Sequence, residues 1–360
     1  MPKEPGQGLG VTLEDLFNRP FTVQHTDEKL QMSSGFRRIV LPLLVTTILS
    51  PCAALAQAPA FVIAWGRFGT GDGQFEGPND IALDAAGNVY VTEDGNRVQK
   101  FTSGGAFLAK WGSPGSSAGQ FNGPTGIVVD AAGIVYVVDT ANSRVQKFDA
   151  NGAGLGQWGQ FGTGDGQLSY PDGIDVNAGG DLLVLDVTTF TVARIEVFTA
   201  AGAYLSQWGS YGTGPGQFRD PFGVAVGPDG TVFVSDSDNN RVEAFAADGA
   251  FLRAWGSLGG ADGQFRTPSG IAVDAAGNVY VSDHGNNRIQ VFAATGAYRA
   301  QWGTSGHANG QFLEPLGLAI DGAGNIYVAD YGNNRVEVFG PPPTPARATS
   351  WGSLKAGYHR

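Results

Sequence analysis

The sequence predicts an all-β fold, a six-bladed β-propeller of four-stranded antiparallel blades. Trp-Gly recurs at intervals of 46 to 50 residues, a period typical of propellers and other repeat arrays. The 360 residues include 56 Gly and 19 Pro, which favours many turns and argues against long helices. Between the tryptophans, one succession of short apolar runs returns in six complete copies. The repeated tryptophans are Trp65, Trp111, Trp158, Trp208, Trp255, Trp302 and Trp351.

Each copy contains four short runs rich in β-branched and aromatic residues, which we label strands a to d. In the fifth copy they read GIAVD, NVYVSD, RIQVF and AYRAQWG, separated by Gly, Asn and Asp clusters that suit tight turns. One such sheet cannot bury both of its faces, so each must pack against the next, and closing the ring removes the exposed ends. Six copies therefore predict six blades.

The ring is predicted to close through the N-terminal strand. FVIAWG, starting at Phe61, is a strand d with no strands before it, whereas the sixth copy ends at Phe339. The following GPPPTPAR breaks strand continuity. The first strand should therefore complete blade 6. The tail segment ATSWGS (348–353) competes for the same edge but lacks a large apolar residue equivalent to Phe61.

The segment before the repeats has the pattern of a secretory signal. Arg37 and Arg38 precede an apolar run of about 11 residues, and small residues follow. The run is shorter than the roughly 20 residues that span a bilayer as a helix, so no stable membrane span is expected. Cleavage is predicted after Ala56 or Ala58. The protein should therefore be exported to the periplasm or the extracellular space.

The predicted organisation has four parts. A leader or misassigned start covers 1–31, a signal peptide 32–58, the propeller 59–340 and a Pro-rich tail 341–360. Cys52, the single cysteine, lies in the signal peptide, so the mature protein is expected to lack disulfides and thiol chemistry. The formal net charge of −11 disfavours nucleic acid as a partner. A monomer without a cofactor is expected.

The run D-x-x-N-x-R recurs at 139–144, 236–241, 283–288 and 330–335, and through it the sequence resembles the NHL family over about 61–340. WD-repeat and kelch signatures are missing from the copies. Because the Asp and Arg recur around the ring, we expect them to be structural. The Asp ends strand b, the Asn suits a left-handed turn, and the Arg bridges back to the Asp or to a neighbouring blade. The tryptophans are likewise expected to cover the gaps between neighbouring sheets.

The turns of the ring differ in variability. Turns d to a and b to c share one rim, because strand direction alternates. We call it the variable rim, since the residue that follows Pro at the start of strand a differs in every copy. The six residues are Asn79, Thr125, Asp172, Phe222, Ser269 and Leu316. Loops of varied chemistry on a rigid frame are typical of recognition surfaces, so we expect an unidentified protein or small-molecule ligand to bind there.

The binding patch is predicted around blades 3 and 4. Copy 3 replaces the polar b to c turn with residues 187–192, which include Phe190, and Phe222 begins strand a of the next blade. His284 and Tyr331 occupy equivalent b to c turns further round, and aromatic groups are common binding anchors. Alternatively, the longer copy 3 loop folds over its own blade and buries Phe190.

Enzymatic function remains an alternative to a binding scaffold. The NHL resemblance implies two enzyme types, amidating lyases that hold zinc with histidines and calcium-dependent lactonases with acidic and Asn ligands. His307 lies in a turn and His359 in the tail, so with His284 they are not expected to form a zinc site. Asn79, Asp80 and Asp172 keep a lactonase-like alternative open. RNA-binding NHL surfaces are basic, unlike this chain.

Overall fold

The computed structural model describes residues 58–188 and 191–341, and these form a ring of six antiparallel four-stranded blades. The predicted leader, the signal peptide up to Gln57, Phe190 and the tail from residue 342 lie outside the described residues. Blade 1 contains β2 (Pro78–Leu83), β3 (Val89–Glu93), β4 (Arg97–Phe101) and β5 (Phe107–Trp111). Blade 2 contains β6 (Pro124–Val129), β7 (Val135–Asp139), β8 (Arg144–Phe148) and β9 (Gly154–Trp158). Blade 3 contains β10 (Tyr170–Val176), β11 (Leu182–Thr188), β12 (Val192–Phe198) and β13 (Tyr204–Trp208).

The second half of the ring repeats this order after a small parallel pair, β14 (Ser210–Tyr211) and β15 (Gln217–Phe218). Blade 4 contains β16 (Pro221–Val226), β17 (Val232–Asp236), β18 (Arg241–Phe245) and β19 (Phe251–Trp255). Blade 5 contains β20 (Pro268–Val273), β21 (Val279–Asp283), β22 (Arg288–Phe292) and β23 (Tyr298–Trp302). Blade 6 contains β24 (Pro315–Ile320), β25 (Ile326–Asp330), β26 (Arg335–Phe339) and β1 (Phe61–Trp65). The predicted six-bladed propeller is confirmed.

The N-terminal strand closes the ring, as predicted. β1 pairs antiparallel with β26, and Phe61 lies opposite Phe339. Their rings pack edge to face at 6.1 Å. The backbone N–H of Gly340 donates to the carbonyl of Ala60 at 2.8 Å, so the pairing continues past the last strand.

The hydrophobic core lies between neighbouring blades. Each cluster of buried side chains combines two blades; Phe75 and Phe101 of copy 1, for example, pack with Tyr327 of blade 6. The indole of Trp65 lies 5.9 Å from the ring of Phe101 and 6.5 Å from that of Tyr327, so it bridges blades 6 and 1. This is the position predicted for the repeated tryptophans.

The D-x-x-N-x-R motif fastens the end of strand b to the d to a turn of the same blade. In blade 5, Arg288 Nε donates to Asp283 Oδ2 at 2.7 Å, and its other nitrogens donate to carbonyls of 260–264. Asn286 donates to Asp283 and to the carbonyl of Gly259. The structural role is confirmed, with one correction. The left-handed residue is Asn287 (φ 55°), because the motif Asn ends a 3-10 turn.

Three such 3-10 turns, Thr140–Asn142, His284–Asn286 and Tyr331–Asn333, are the helices of the described residues. None of the helices in this part of the chain has the length and apolar character needed to cross a bilayer.

Copy 3 uses its three additional residues to lengthen strands. β11 and β12 each have seven residues, whereas the equivalent strands of the other blades have five. Val187, expected in an exposed loop, lies in β11 opposite Ala193 and is buried. Thr188 and Val192 also lie in these strands. The apolar residues extend the hairpin because alternate β-branched side chains can pack against the sheet.

Candidate functional site

Three of the six variable channel-mouth residues hold neighbouring blades together. Asn79 is 7% exposed and donates through Nδ2 to the carbonyl of Pro124 in blade 2. Thr125 donates to the carbonyl of Asp172 in blade 3, and Ser269 donates to that of Pro315 in blade 6. The inner edge of each blade has no neighbouring strand to pair with, and these side chains donate hydrogen bonds to its backbone carbonyls instead. These side chains are therefore part of the frame.

Asp172 differs from these three residues because one of its carboxylate oxygens lacks a partner. Oδ1 is buried and makes no hydrogen bond with any residue that the structure describes. Burial raises the pKa of Asp172 to about 7, and the negative charges of Asp220 and Asp80 add to the rise, although a hydrogen bond with the Thr125 side chain opposes it. A buried acceptor without a donor is unfavourable by about 1–3 kcal/mol. A ligand that donates a hydrogen bond would remove this penalty.

Two clefts meet at Asp172 on the variable rim. The larger cleft has a volume of about 480 Å³ and the smaller about 250 Å³. Asp172, Asp220 and Asp238 line both clefts. The larger cleft is completed by Thr140, Tyr170, Val187, Thr188 and Tyr211. The smaller is completed by Phe222, Ser237, Thr267, Ser269, His284 and Leu316. The joined clefts thus carry three carboxylates and four aromatic side chains.

Asp220 lies in a conformation that is unusual for a residue other than glycine. Its φ is 49°, and the equivalent positions in blades 1 and 2 are Gly77 and Gly123 with φ 64° and 62°. Burial raises the pKa of Asp220, and the charge of Asp238 adds to the rise. Thr267 and Glu314 take the same conformation in blades 5 and 6, with φ 48° and 52°, so the backbone geometry belongs to the repeated turn. What distinguishes Asp220 is its carboxylate near that of Asp238.

The predicted site residues fall into two groups. Asp172, Phe222 and His284 line the smaller cleft together, and His284 Nδ1 is buried without a hydrogen-bond partner in the described ranges. Asn79 and Tyr331 instead converge on Asp94, at 3.0 Å from Asn79 Nδ2 and 2.8 Å from the Tyr331 hydroxyl. The hydrogen bond from the Tyr331 hydroxyl to Asp94 is the main cause that raises the pKa of Tyr331 to about 12, and burial is the second. Phe190 falls outside the described residues.

The channel below the clefts contains two further buried carboxylates. Asp80 accepts hydrogen bonds from the backbone N–H groups of Ile81 and Ile127, at 2.8 and 3.1 Å. Asp175 accepts in the same way from Val176 and Val226. Burial raises the pKa of Asp80 to about 7 and that of Asp175 to about 6. Both carboxylates link one inner strand to that of the following blade.

The carboxylates at the mouth do not converge as metal ligands do. Within residues 58–188 and 191–341, no three His, Cys, Asp or Glu side chains are grouped closely enough to hold a metal ion. Of the trio expected for a lactonase-like site, Asn79 and Asp80 are engaged in hydrogen bonds to neighbouring blades. Asp172 alone retains an oxygen without a partner in this region.

Four of the repeats match the family model described as NHL repeat, at 121–148, 218–245, 265–292 and 312–339. The chain is an NHL-repeat β-propeller. The copies outside the match include copy 1, with its shortened b to c turn, and copy 3, with its longer hairpin. No curated protein sequence matches this NHL propeller significantly.

Solved structures with the same fold include proteins of different function. A streptogramin B lyase aligns with a TM-score of 0.54 and 17% identity, covering 76% of this chain and 95% of that one. A gluconolactonase from Xanthomonas campestris aligns with a TM-score of 0.56 and 17% identity, covering 79% and 97%. A protein of unknown function from Bacteroides thetaiotaomicron aligns with a TM-score of 0.62 and 20% identity, covering 79% of this chain and 76% of that one. At these identities the likeness establishes the fold alone.

The cleft residues that sequence reasoning missed include the two tyrosines and two of the three aspartates: Tyr170, Tyr211, Asp220 and Asp238. One signal was available, because the residue before the Pro of strand a is Gly in copies 1 and 2 but Tyr170 in copy 3 and Asp220 in copy 4. Tyr211 lies in the short strand β14 and Asp238 in a b to c turn, and both segments vary in composition from copy to copy, so only their position in the ring reveals them.

Proposed function

We propose that this NHL propeller is an exported binding scaffold whose clefts at Asp172 bind a positively charged hydrogen-bond donor. The fitting chemistry is a guanidinium or ammonium group, such as an arginine or lysine side chain of a partner protein. The observation that carries the proposal is the buried Asp172 Oδ1 without a partner, on the wall shared by both clefts. A charged donor would supply the missing hydrogen bond and neutralise the local charge.

The surroundings of Asp172 support a cationic ligand. Asp220 and Asp238 line the same clefts, and the charges of Asp220 and Asp80 raise the free energy of the ionised Asp172. Tyr170 is 56% exposed at the larger cleft and offers an aromatic face to a cation. The ring of Phe222 contributes an apolar wall to the smaller cleft. Carboxylates beside aromatic surfaces are suited to side chains such as arginine, which combine a charged plane with an apolar stem.

The direct test compares two probes that differ in charge and little in shape. Nα-acetyl-arginine methyl ester should bind the purified protein saturably, whereas Nα-acetyl-citrulline methyl ester, which is uncharged, should bind at least about fivefold more weakly. Asp172→Asn should remove most of that difference. Asp248→Asn, which changes an exposed carboxylate on the opposite rim, is the matched control. Equal binding of the two esters, or identical binding by the Asp172→Asn variant, would refute the proposal.

Partner capture tests the scaffold function at the level of proteins. The immobilised protein should retain partners from an extracellular or periplasmic extract, and Asp172→Asn combined with Asp220→Asn should release them. Asp248→Asn should retain the same set. Retention that is identical in all variants would place the binding surface elsewhere on the ring.

Export is a separate part of the proposal. Its support is the basic pair Arg37 and Arg38, the short apolar run and the small residues that follow. The N-terminal sequence of the protein recovered outside the cytoplasm should begin near Gln57 or Pro59. Recovery of protein that retains Arg37 and Arg38 would contradict cleavage.

A metal-dependent enzyme at the channel mouth is the alternative. It is motivated by the fold shared with a lyase and a gluconolactonase. Elemental analysis of the purified protein and an assay with gluconolactone decide between the two. The scaffold proposal expects substoichiometric metal and no hydrolysis above the rate of a sample treated with a chelator.

A further inference from the structure

The first residue of strand d has a repeated packing role that blade 2 lacks. In five blades this residue is aromatic, and its ring packs edge to face on the Phe that ends strand c, at 5.9 to 6.2 Å. The five residues are Phe61, Phe107, Tyr204, Phe251 and Tyr298. In blade 2 the equivalent residue is Gly154.

The missing ring leaves a groove on the outer side of blade 2. Phe148 contacts Trp111 at 5.8 Å and Phe121 at 5.7 Å, but in the described part of the chain no ring reaches it from β9. The groove has a volume of about 220 Å³. A Cβ added at Gly154 would meet no atom within 4 Å. Its walls include Trp111, Phe148, Gly152, Gly154 and Gly156.

A second substitution in the same blade makes the groove more apolar. In blades 3 and 5 the hydroxyls of Tyr204 and Tyr298 hydrogen-bond to Asp165 and Asp262 of the preceding turn. The equivalent residue in blade 2 is Ala118, which lines the groove. Blade 2 has therefore lost both the ring and the carboxylate that would bind a phenol hydroxyl.

We propose that this groove binds the phenyl ring of a phenylalanine side chain from a partner polypeptide. The five other blades show the geometry, an edge-to-face contact on the Phe of strand c, and Ala118 favours a phenyl over a phenol. A polypeptide can approach closely because Gly154 and Gly156 present no side chains and β9 is the free edge of its sheet. This site lies on the outer edge of the ring and is separate from the clefts at Asp172.

The test uses capped amino acids as probes and the full chain as receptor. N-acetyl-phenylalanine methylamide should bind at one site, several-fold more tightly than N-acetyl-leucine methylamide, and should perturb the NMR signals or fluorescence of Trp111. Toluene serves as a second probe, which carries the aromatic ring without a peptide backbone. Binding of toluene without binding of the capped phenylalanine would overturn the assignment to a polypeptide. Equal binding of the leucine and phenylalanine probes would also overturn it.

Two variants complete the design. Gly154→Phe should fill the groove and abolish probe binding while raising the melting temperature, because Gly154 has no positive φ and its Cβ position is open. Probe binding that survives Gly154→Phe would refute the site. Phe251→Gly should open the equivalent groove in blade 4, where Pro215 takes the place of Ala118, and raise the stoichiometry from one probe to two. An unchanged stoichiometry in the folded Phe251→Gly variant would show that the missing ring does not create the site.

Discussion

Buried carboxylates occur in two settings in this propeller, and their difference separates frame from site. Asp283, at the end of strand b in blade 5, accepts hydrogen bonds from Arg288, Asn286, Gln290 and the backbone N–H of Arg266. Asp172, at the channel mouth, leaves Oδ1 without a partner in the described ranges. The first setting recurs around the ring, whereas the second occurs once among the channel-mouth positions. At the end of strand b the repeated carboxylate of Asp283 is fully hydrogen-bonded, whereas Asp172 Oδ1 can accept a hydrogen bond from a ligand in the cleft.

A third set of carboxylates lies between these two. The middle residue of strand c is a buried Gln in blades 1, 2 and 5 but a buried Glu in blades 3, 4 and 6. Gln290 donates to Asp283 and to the carbonyl of Gln264. Glu243 has no amide N–H groups with which to make these hydrogen bonds. Burial raises the pKa of Glu243 to about 7, and the negative charge of Asp236 adds to the rise, although the positive charge of Arg241 opposes it. Blades with the Glu are thus predicted to be the pH-sensitive ones.

The largest expected effect comes from removing a repeated carboxylate. Asp283→Ala leaves Arg288 buried without its partner and should lower the free energy of unfolding by about 3–5 kcal/mol. Chemical denaturation measures the loss. Asp172→Ala, which breaks no ion pair, is the matched control and should cost less than about 1 kcal/mol. Similar losses for the two variants would remove the distinction between frame and site.

Glu243→Gln should stabilise the protein at pH 8. The folded-state pKa of about 7 exceeds the ordinary value of 4.5, so the wild-type protein loses stability as the pH rises between these values. The variant should therefore gain about 1–3 kcal/mol at pH 8 and little at pH 4.5. The reverse change in blade 5, Gln290→Glu, should destabilise at pH 8. Thermal unfolding at both pH values tests the pair, and a gain that is independent of pH would contradict the raised pKa.

Asp172→Asn should change the pH dependence with the same sign. The folded-state pKa of about 7 exceeds the ordinary value of 3.8, so the wild-type protein loses stability as the pH rises between these values, and the variant should gain stability at pH 8 but not at pH 4. Binding of Nα-acetyl-arginine methyl ester to the wild type should strengthen from pH 6 to pH 8, because the ionised carboxylate is the acceptor. Ester binding that weakens over this range would exclude Asp172 as the contact.

The smallest expected effect is at Asp220. Asp220→Gly relieves a left-handed residue and reproduces Gly77 and Gly123, so stability should change by no more than about 1 kcal/mol. Binding of the arginine ester should nevertheless weaken. Gly123→Ala in blade 2, which places a Cβ at φ 62°, is the converse control and should destabilise without affecting the ester. A large loss of stability in Asp220→Gly would assign Asp220 to the frame.

The sequence predicted the fold more completely than the site. The period of the tryptophans and the four runs per copy predicted six blades, and Phe61 predicted how the ring closes. At the channel mouth, the structure brings Asp172, Phe222 and His284 together in the smaller cleft, and their role in binding stays a prediction. Asn79 was predicted to face a ligand but donates to blade 2, because a buried amide at an unpaired strand edge is satisfied by the nearest carbonyl.

By itself, the sequence determined the local periodicity, the turn chemistry and the number of blades, since each depends on residues close together in the chain. Only the tertiary structure decided that Asp172 Oδ1 lacks a partner among the described residues. Asp139 and Asp172 are the same residue type in neighbouring copies, yet one meets an arginine from its own hairpin and the other faces an open cleft. Hydrogen bonding and burial at the mouth depend on side chains from blades 1, 3 and 4, which are distant in sequence and adjacent only when the ring is closed.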